Sequence, residues 1–253
     1  MPIEHRILTT LLEAAERQGS AHLVLIDPDR TDPERSAELA RECSAAGTDG
    51  ILFGSSTPLR CDPAPVLRAI RSCYDGPLVL FPGSSDQVRP DVDAVLFLSL
   101  LSGRDPRFLI EEQVAAAPRL LASGVEPIAT AYLLVGSDEG GSVARVTGTK
   151  PLPVAPASIV VSHAQAAACL GFSLVYLESG SGATAPISVS LVRDVAAAVS
   201  VPLVVGGGIR RPEEAVALAA AGARFIVTGT IHEEGCPVGL FTEAIHLASP
   251  ALR

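Results

Sequence analysis

Val204-Val-Gly-Gly-Gly-Ile-Arg210 is an apolar run that breaks at three consecutive glycines. Similar junctions lie on either side of it, at Tyr176-Leu-Glu-Ser-Gly-Ser-Gly182 and at Phe225-Ile-Val-Thr-Gly-Thr230. The breaks recur about every 20 to 30 residues, which is the length of one strand with its crossover helix. Glycine lets backbone N–H groups approach an anion closely, and a following helix adds the positive end of its dipole. Together, the three junctions predict a phosphate-binding cup at the carboxyl ends of neighbouring parallel strands.

The rest of the chain continues this alternation of apolar strands and amphipathic helices. The predicted strands are His22–Ile26, Gly50–Phe53, Leu78–Phe81, Ala94–Ser99, Pro127–Val135, Leu174–Leu177, Leu203–Val205 and Phe225–Val227. After an amphipathic first helix within Met1–Ser20, the predicted helices are Pro33–Ala46, Pro63–Tyr74, Pro106–Ala122, Ala157–Leu170, Val189–Val199, Glu213–Ala221 and Val238–Leu247. Eight strands in this rhythm predict an α/β fold, a closed TIM-type (β/α)8 barrel. The length of 253 residues suits a single barrel domain over residues 1–253.

Two connections depart from the regular pattern. Only Pro82–Asp93 separates the third and fourth strands, and this segment contains a glycine and a second proline. We therefore expect the regular third crossover helix to be missing. The connection Gly136–Pro156 is long and rich in Gly, Ser, Thr and Pro, so we expect a lid over the active-site face.

Composition narrows the functional class. The net charge of −9 argues against a nucleic-acid interface, which requires a basic surface. The five cysteines have no metal-site or disulfide spacing, and they indicate free thiols in a reducing cytoplasm. No apolar run is long enough to span a membrane, and the amphipathic N-terminus is unlike a signal peptide. We expect a cytoplasmic protein.

Polar residues that end the first two strands form a candidate metal site. In Asp27-Pro-Asp-Arg30 the first carboxylate would point into the barrel mouth, where it could hold Mg²⁺ against phosphate oxygens. Ser55 and Ser56 end the neighbouring strand and could complete the shell. Taken alone, the first motif also fits a helix-capping turn, and the two serines fit a plain turn.

Glu178 is the candidate base. It ends a strand and is followed at once by the Ser179-Gly-Ser-Gly182 loop, without a neighbouring cation in sequence. A carboxylate beside a phosphate loop can take the proton from a hydroxyl of the same ligand. Tyr176 shares its side of the strand because side chains alternate. The alternatives are a structural ion pair for Glu178 and a core position for Tyr176. No histidine has ligand spacing, and we assign none to chemistry.

These motifs, in order along the chain, resemble geranylgeranylglyceryl phosphate synthase, a prenyltransferase family of ether-lipid biosynthesis. The resemblance rests on Asp27–Arg30, Gly54–Ser56, Phe97–Arg104 and the three glycine junctions, and it runs from the first strand to the last. Phe97–Arg104 and the region from Tyr132 to Pro153 are more similar to the second group of the family. The family's usual Asp-Pro-Asp-Lys is Asp-Pro-Asp-Arg here, and its usual Gly-Asn is Gly229-Thr230.

The resemblance implies a Mg²⁺-dependent enzyme that joins sn-glycerol 1-phosphate to a long-chain allylic diphosphate, with geranylgeranyl diphosphate as the expected donor. It implies that Asp27 and Ser56 coordinate Mg²⁺, that Glu178 is the base and that Tyr176 aligns the reacting groups. It assigns substrate binding to Arg30, Tyr176, Leu177, Glu178, Ser179, Gly180, Ser181, Gly182, Gly207, Gly208, Gly229 and Thr230. A homo-oligomer, dimeric or hexameric, and peripheral membrane contact through the lipid product are also expected.

Two other functional classes fit the residues. One is another phosphate-binding barrel, an isomerase or lyase, although a Schiff-base lyase would need a lysine at the barrel mouth and Lys150 is the only lysine. The other is a non-catalytic binder of isoprenoid phosphates. Intact Glu178 and Asp27 argue against the binder.

Overall fold

The computed structural model describes residues 5–136, 141–180 and 182–248. Eight parallel strands close into one barrel in sequence order, β1 pairing with β8. The strands are β1 Ala21–Ile26, β2 Gly50–Phe53, β3 Leu78–Leu80, β4 Ala94–Leu100, β5 Glu126–Leu134, β6 Leu174–Glu178, β7 Leu203–Gly206 and β8 Phe225–Thr228. The predicted TIM-type barrel is confirmed.

Helices surround the barrel in the described part of the chain. They are α1 Arg6–Gln18, α2 Pro33–Ala46, α3 Ala64–Arg71, α4 Glu112–Ser123, α5 Ser142–Thr147, α6 Ser158–Cys169, α7 Val189–Ala198, α8 Pro212–Ala220, α9 Thr230–Glu233 and α10 Val238–Leu247. The start of α2 shows why such boundaries can be predicted. The Asp32 carboxylate accepts a hydrogen bond from the Arg35 N–H, and Pro33 occupies the first turn, where no backbone donor is needed. None of the described helices has the length and apolar character needed to cross a membrane.

Side chains along each strand point alternately into the barrel and toward the helices, which divides the core into two layers. Inward residues such as Leu96 on β4 and Tyr176 on β6 fill the barrel, whereas Val95 and Leu177 face the surrounding helices. Helix α1 closes the amino end of the barrel with Leu8, Leu11 and Ala15. The barrel is therefore plugged at one end, and side chains at the carboxyl ends of the strands can meet a ligand only from the other.

The Glu126 carboxylate holds helix α1 in place at this end of the barrel. It accepts hydrogen bonds from the backbone N–H groups of Ile7 and Leu8, at 2.6 and 3.1 Å. These are among the first donors of α1, which have no partner within the helix. A negative charge at a helix amino end is also favoured by the helix dipole.

The third connection lacks a regular crossover helix, as the sequence predicts. Between β3 and β4 the chain is irregular except for one 3₁₀ turn, Ser85–Gln87. The Gln87 amide ties it down, accepting from Gly83 N–H and donating to the Thr57 carbonyl. Consequently, no regular helix from this connection covers the outer face of β4 in the described part of the chain.

Two short elements correct the sequence-based outline. The connection 136–156 contains helix α5 and a parallel bridge between Val135 and Leu152, so it is more ordered than a simple loop; its residues 137–140 lie outside the described part. The predicted helix Pro106–Ala122 begins as one π-helical turn, Arg107–Glu111, before α4. Helix α9, directly after β8, was not predicted.

Candidate active site

A cleft opens at the carboxyl ends of the strands, and its empty volume is about 1510 Å³ when the space open to solvent is included. Loops after β1, β2, β6, β7 and β8 line one end of it, and residues of β4, the π-helical turn and α4 line the other. Each glycine junction of the sequence therefore faces the same cavity.

Glu178 lines this cleft and is buried. Its Oε1 atom accepts a hydrogen bond from Gly180 N–H at 2.8 Å. Burial raises the pKa of Glu178 to about 7, against smaller opposing effects of the Gly180 N–H and the Tyr176 hydroxyl. A carboxyl group that titrates near neutral pH can hold a proton or release it during a reaction.

Three aromatic rings form one wall beside that carboxylate. Phe81, Tyr132 and Tyr176 pack against one another, with centroid separations of 5.2 to 6.0 Å. The Tyr176 hydroxyl is near Glu178, but the contact lacks hydrogen-bond geometry, and this buried oxygen has no partner among the described residues. Burial raises the pKa of both tyrosines well above its usual value, so both stay neutral. Sequence reasoning missed Phe81 and Tyr132, because neither belongs to a glycine junction.

The glycine loop after β7 approaches Glu178 too closely for any side chain. A Cβ atom on Gly207 would lie 2.1 Å from Glu178 Oε1, and one on Gly208 would lie 2.4 Å from the Ala185 carbonyl oxygen. Both residues have positive φ angles, 83° and 67°. The Ser179 hydroxyl is buried nearby without a partner in the described residues. Glycine backbone in this conformation suits an anion site, because its N–H groups can approach a bound phosphate closely.

The remaining predicted residues of the first junction differ in their placement. Gly182 lines the cleft with a φ angle of 84°. The side chain of Leu177 faces the outer core, so it contributes only backbone to the site. Ser181 lies outside the described residues.

The other side of the cleft carries the candidate metal residues. Asp27, Ser55 and Ser56 all line it. Burial raises the pKa of Asp27, and hydrogen bonds from Asp29 N–H and the Ser55 hydroxyl oppose the rise. The Ser56 hydroxyl donates to the Ser142 hydroxyl of α5 at 2.7 Å, which joins this side of the cleft to the predicted lid. The structure thus brings Asp27 and Ser56 to one cavity with Glu178.

Arg30 contacts residues that follow β8. Its Nε atom lies 2.9 Å from Glu233 Oε2, and its Nη1 atom donates to the Thr230 hydroxyl at 3.3 Å. The two positions that depart from the family pattern therefore contact each other. The role of Arg30 in substrate binding stays a prediction. Thr230 lines the cleft, as does Arg210, which is paired with Glu234 and which sequence reasoning did not single out.

The far end of the cleft is largely apolar, although Glu112 and Gln113 also line it. There it passes over both faces of β4 and is lined by Leu98, Phe97, Val88, Phe108 and Ala116. Phe97 and Val88 belong to the outer layer that a regular third crossover helix would cover. The missing helix thus leaves an apolar groove that is continuous with the polar cup.

With this geometry established, comparison with known proteins is informative. The sequence matches the PcrB family over residues 13–245. The chain belongs to the PcrB family. Two relatives are named geranylgeranylglyceryl phosphate synthase: one from Thermofilum pendens, 43% identical over 230 residues (90% of this chain, 89% of the relative), and one from Chitinophaga pinensis, 36% identical over 252 residues (99% and 100%).

Solved structures agree with the family assignment. The chain resembles (S)-3-O-geranylgeranylglyceryl phosphate synthase from Thermoplasma acidophilum in complex with its substrate sn-glycerol-1-phosphate, with a TM-score of 0.84 and 40% identity over 94% of this chain and 96% of that one. A thiamine phosphate pyrophosphorylase from Pyrococcus furiosus, at 16% identity and a TM-score of 0.56, shares the fold alone. Membership of the PcrB family confirms the resemblance drawn from the motifs. The prediction of an enzyme of this synthase type is confirmed with it.

Proposed function

We propose that this PcrB-family enzyme transfers a long-chain prenyl group from its allylic diphosphate to the 3-hydroxyl of sn-glycerol 1-phosphate. The observation that carries the proposal is the placement of Glu178. It is a buried carboxyl group with a pKa of about 7. The glycine loop after β7 approaches it closely, and the cleft that it lines extends over the apolar residues of β4. The named substrate of the Thermoplasma acidophilum relative supports the acceptor.

In this proposal the acceptor phosphate lies against the loops that carry Gly180, Gly207 and Gly229. Gly182, Gly208 and the Ser179 hydroxyl are further donors in the same cup, and Ser181 is proposed from the motif alone. These groups fix the glycerol so that its 3-hydroxyl faces Glu178. Holding two substrates in a reactive arrangement can lower the activation barrier of the transfer by about 7 to 11 kcal/mol.

Glu178 then acts as the general base. As the glycerol oxygen forms its bond to the first carbon of the prenyl chain, the bond from that carbon to diphosphate breaks, and Glu178 takes the hydroxyl proton. The allylic carbon gains positive charge at that moment. The faces of Phe81, Tyr132 and Tyr176 can stabilise such a charge, and the unpartnered Tyr176 hydroxyl can orient the acceptor.

The apolar groove over β4 suits the prenyl tail. Its lining of Leu98, Phe97, Val88, Phe108 and Ala116 would remove apolar chain surface from water, a favourable change of about 25 cal/mol per Å². We propose geranylgeranyl diphosphate as the donor, in line with the names of the relatives.

The residues at Asp27 fit Mg²⁺. The described residues contain no cluster of three or more His, Cys, Asp or Glu side chains able to cage a metal. Magnesium does not need one, since it is commonly held by one or two carboxylates together with substrate phosphates and water. The Asp27 carboxylate with the Ser55 and Ser56 hydroxyls is such a hard-oxygen set. Bound there, Mg²⁺ would neutralise charge on the departing diphosphate.

One assay tests the proposal. The protein is incubated with Mg²⁺, sn-glycerol 1-phosphate and labelled prenyl diphosphates of different lengths, and butanol-extractable product is measured. We expect product with the highest rate for the geranylgeranyl donor. Absence of product at every length would reject prenyl transfer, and isomerase or lyase chemistry would then be the next candidate.

We also propose a homo-oligomer that works in the cytoplasm and touches the membrane only through its lipid product. The support is the resemblance to the synthase family. Light scattering on the purified protein distinguishes a monomer from a dimer or hexamer. Flotation with and without a vesicle that contains the product lipid tests the membrane contact.

A further inference from the structure

A network of buried hydrogen bonds lies directly behind the phosphate cup. His22 on β1 and His232 on α9 are fully buried, and the Nε2 atom of each ring is hydrogen bonded to the Thr228 hydroxyl, at 2.7 and 2.8 Å. Thr228 is the last residue of β8 and immediately precedes Gly229 and Thr230. The network thus ends at one of the three junctions that form the cup.

The positions of the protons in this network follow from its contact with one backbone carbonyl. His232 Nδ1 lies 2.9 Å from the Cys236 carbonyl oxygen, which can only accept, so Nδ1 carries the proton and Nε2 of the neutral ring accepts. Thr228 therefore donates to His232, and its oxygen accepts from Nε2–H of His22. The Nδ1 atom of His22 then accepts from the Thr242 hydroxyl at 2.8 Å.

Both rings are neutral in this arrangement. Burial lowers the pKa of each, and the presence of the other ring lowers that of His22 further. The surrounding charged groups do not reverse this outcome. His246, paired with Asp49, lies near His22, and Glu42 and Arg35 lie near His232 with opposite effects. Neutral rings leave each hydrogen bond with one donor and one acceptor.

The two histidine rings hold backbone in place and do not themselves line the cleft. Neither histidine is among the lining residues, whereas Thr228, Gly229 and Thr230 all are. The His232 ring joins the end of β8 to the Cys236 carbonyl beyond α9, and therefore holds α9 against the strand with Gly229 in between. Arg35 adds a hydrogen bond to the His232 carbonyl at 2.9 Å.

We propose that His22, Thr228 and His232 are positioning residues that hold the Gly229–Thr230 junction in the geometry that binds the acceptor phosphate. This inference rests on the proposed function. The physical reason is that loss of either ring removes one of the two hydrogen-bond partners of the buried Thr228 hydroxyl, and the junction then relaxes to compensate.

The test uses His22→Phe and His22→Gln in the full chain. Phenylalanine keeps an aromatic ring beside Phe241 but removes both hydrogen bonds, whereas glutamine returns a donor to Thr228. We expect His22→Phe to weaken calorimetric binding of sn-glycerol 1-phosphate roughly tenfold, because a lost buried partner has about that effect. The KM for the prenyl diphosphate should stay unchanged, and His22→Gln should recover most of the loss.

Thr130→Val is the matched control. Thr130 is an equally buried strand hydroxyl, bonded to the Ile128 carbonyl and away from the cleft. It should lose stability without losing acceptor affinity. If His22→Phe does not fold, Thr242→Val removes the donor to His22 Nδ1, together with the Thr242 contacts to the Thr48 hydroxyl and the Val238 carbonyl, and we expect roughly threefold weaker acceptor binding.

Two results would overturn the inference. One is unchanged acceptor binding in the folded variants; the other is an equal loss for both substrates, which indicates a general defect. If the wild-type protein itself failed to bind sn-glycerol 1-phosphate, the proposed function would fall and this inference with it. Failure of the variants alone, with normal wild-type binding, rejects only the positioning role.

Discussion

Gly207→Ala should disable the active site by displacing Glu178. The added Cβ would lie 2.1 Å from Glu178 Oε1, 2.7 Å from Ser179 Oγ and 2.9 Å from the Gly180 nitrogen. Ordinary contacts of a Cβ atom begin near 3.4 Å, so the carboxylate would have to move by about 1 Å, a shift that can reduce a rate about 10²-fold.

The substitution also strains the backbone, and that contribution can be measured separately. Gly207 has a φ angle of 83°, where a residue with a Cβ costs about 1 to 2 kcal/mol. Gly171, after helix α6, has a φ angle of 81° with no atom within 4 Å of its would-be Cβ. Gly171→Ala therefore has the same backbone strain without the clash.

The assay compares both variants in chemical unfolding and in prenyl transfer at saturating substrates. We expect a loss of stability of about 1 to 2 kcal/mol in each, with about 10²-fold slower transfer only in Gly207→Ala. If the two variants turned over at the same rate, the close approach of this loop to Glu178 would have no catalytic importance, and the reasoning would be refuted.

Three further predictions follow from the site and its support. Because burial raises the pKa of Glu178 to about 7, transfer should increase as pH rises through about 7. The same raised pKa makes the free energy of unfolding depend on pH: the contribution of Glu178 is fully present below pH 4.5, its pKa in the unfolded chain, and is lost as pH rises through about 7. At pH 9 the Glu178→Gln protein should therefore be more stable than the wild type by up to roughly 3 kcal/mol. Equal dependence of unfolding free energy on pH in the two proteins would exclude the shift. Chelation of Mg²⁺ should abolish transfer, and Asp27→Asn should raise the Mg²⁺ concentration for half-maximal rate about tenfold, whereas an unchanged titration would remove Asp27 from the metal site. Glu126→Gln should lower the free energy of unfolding by about 1 to 2 kcal/mol with unchanged KM values, since it weakens the hydrogen bonds to Ile7 and Leu8, and an unaltered denaturation midpoint would contradict this.

Local patterns predict the barrel well, because each βα unit has its own signal. Helix α2 has the boundaries expected from Asp32 and Pro33, and the absence of a third crossover helix follows from the short segment Pro82–Asp93. Helices α5 and α9 escaped prediction since six and four residues are too few to show helical periodicity.

The candidate site was predictable only where its residues lie at or near the carboxyl end of a strand that runs into a glycine or proline break. Glu178 and Asp27 have that signal, and the barrel brings them to one cleft. Tyr132 has none, because only the closed barrel turns it toward Tyr176. The Arg30–Thr230 contact joins residues 200 positions apart, so no local pattern could reveal it.

The central claim is that Glu178 removes the acceptor proton inside an intact phosphate cup. Its most direct test measures Glu178→Gln twice, by calorimetry with sn-glycerol 1-phosphate and by single-turnover prenyl transfer. We predict acceptor affinity close to that of the wild type and transfer slower by at least about 10²-fold, the usual contribution of a general base. Transfer at the wild-type rate with normal binding would contradict the claim.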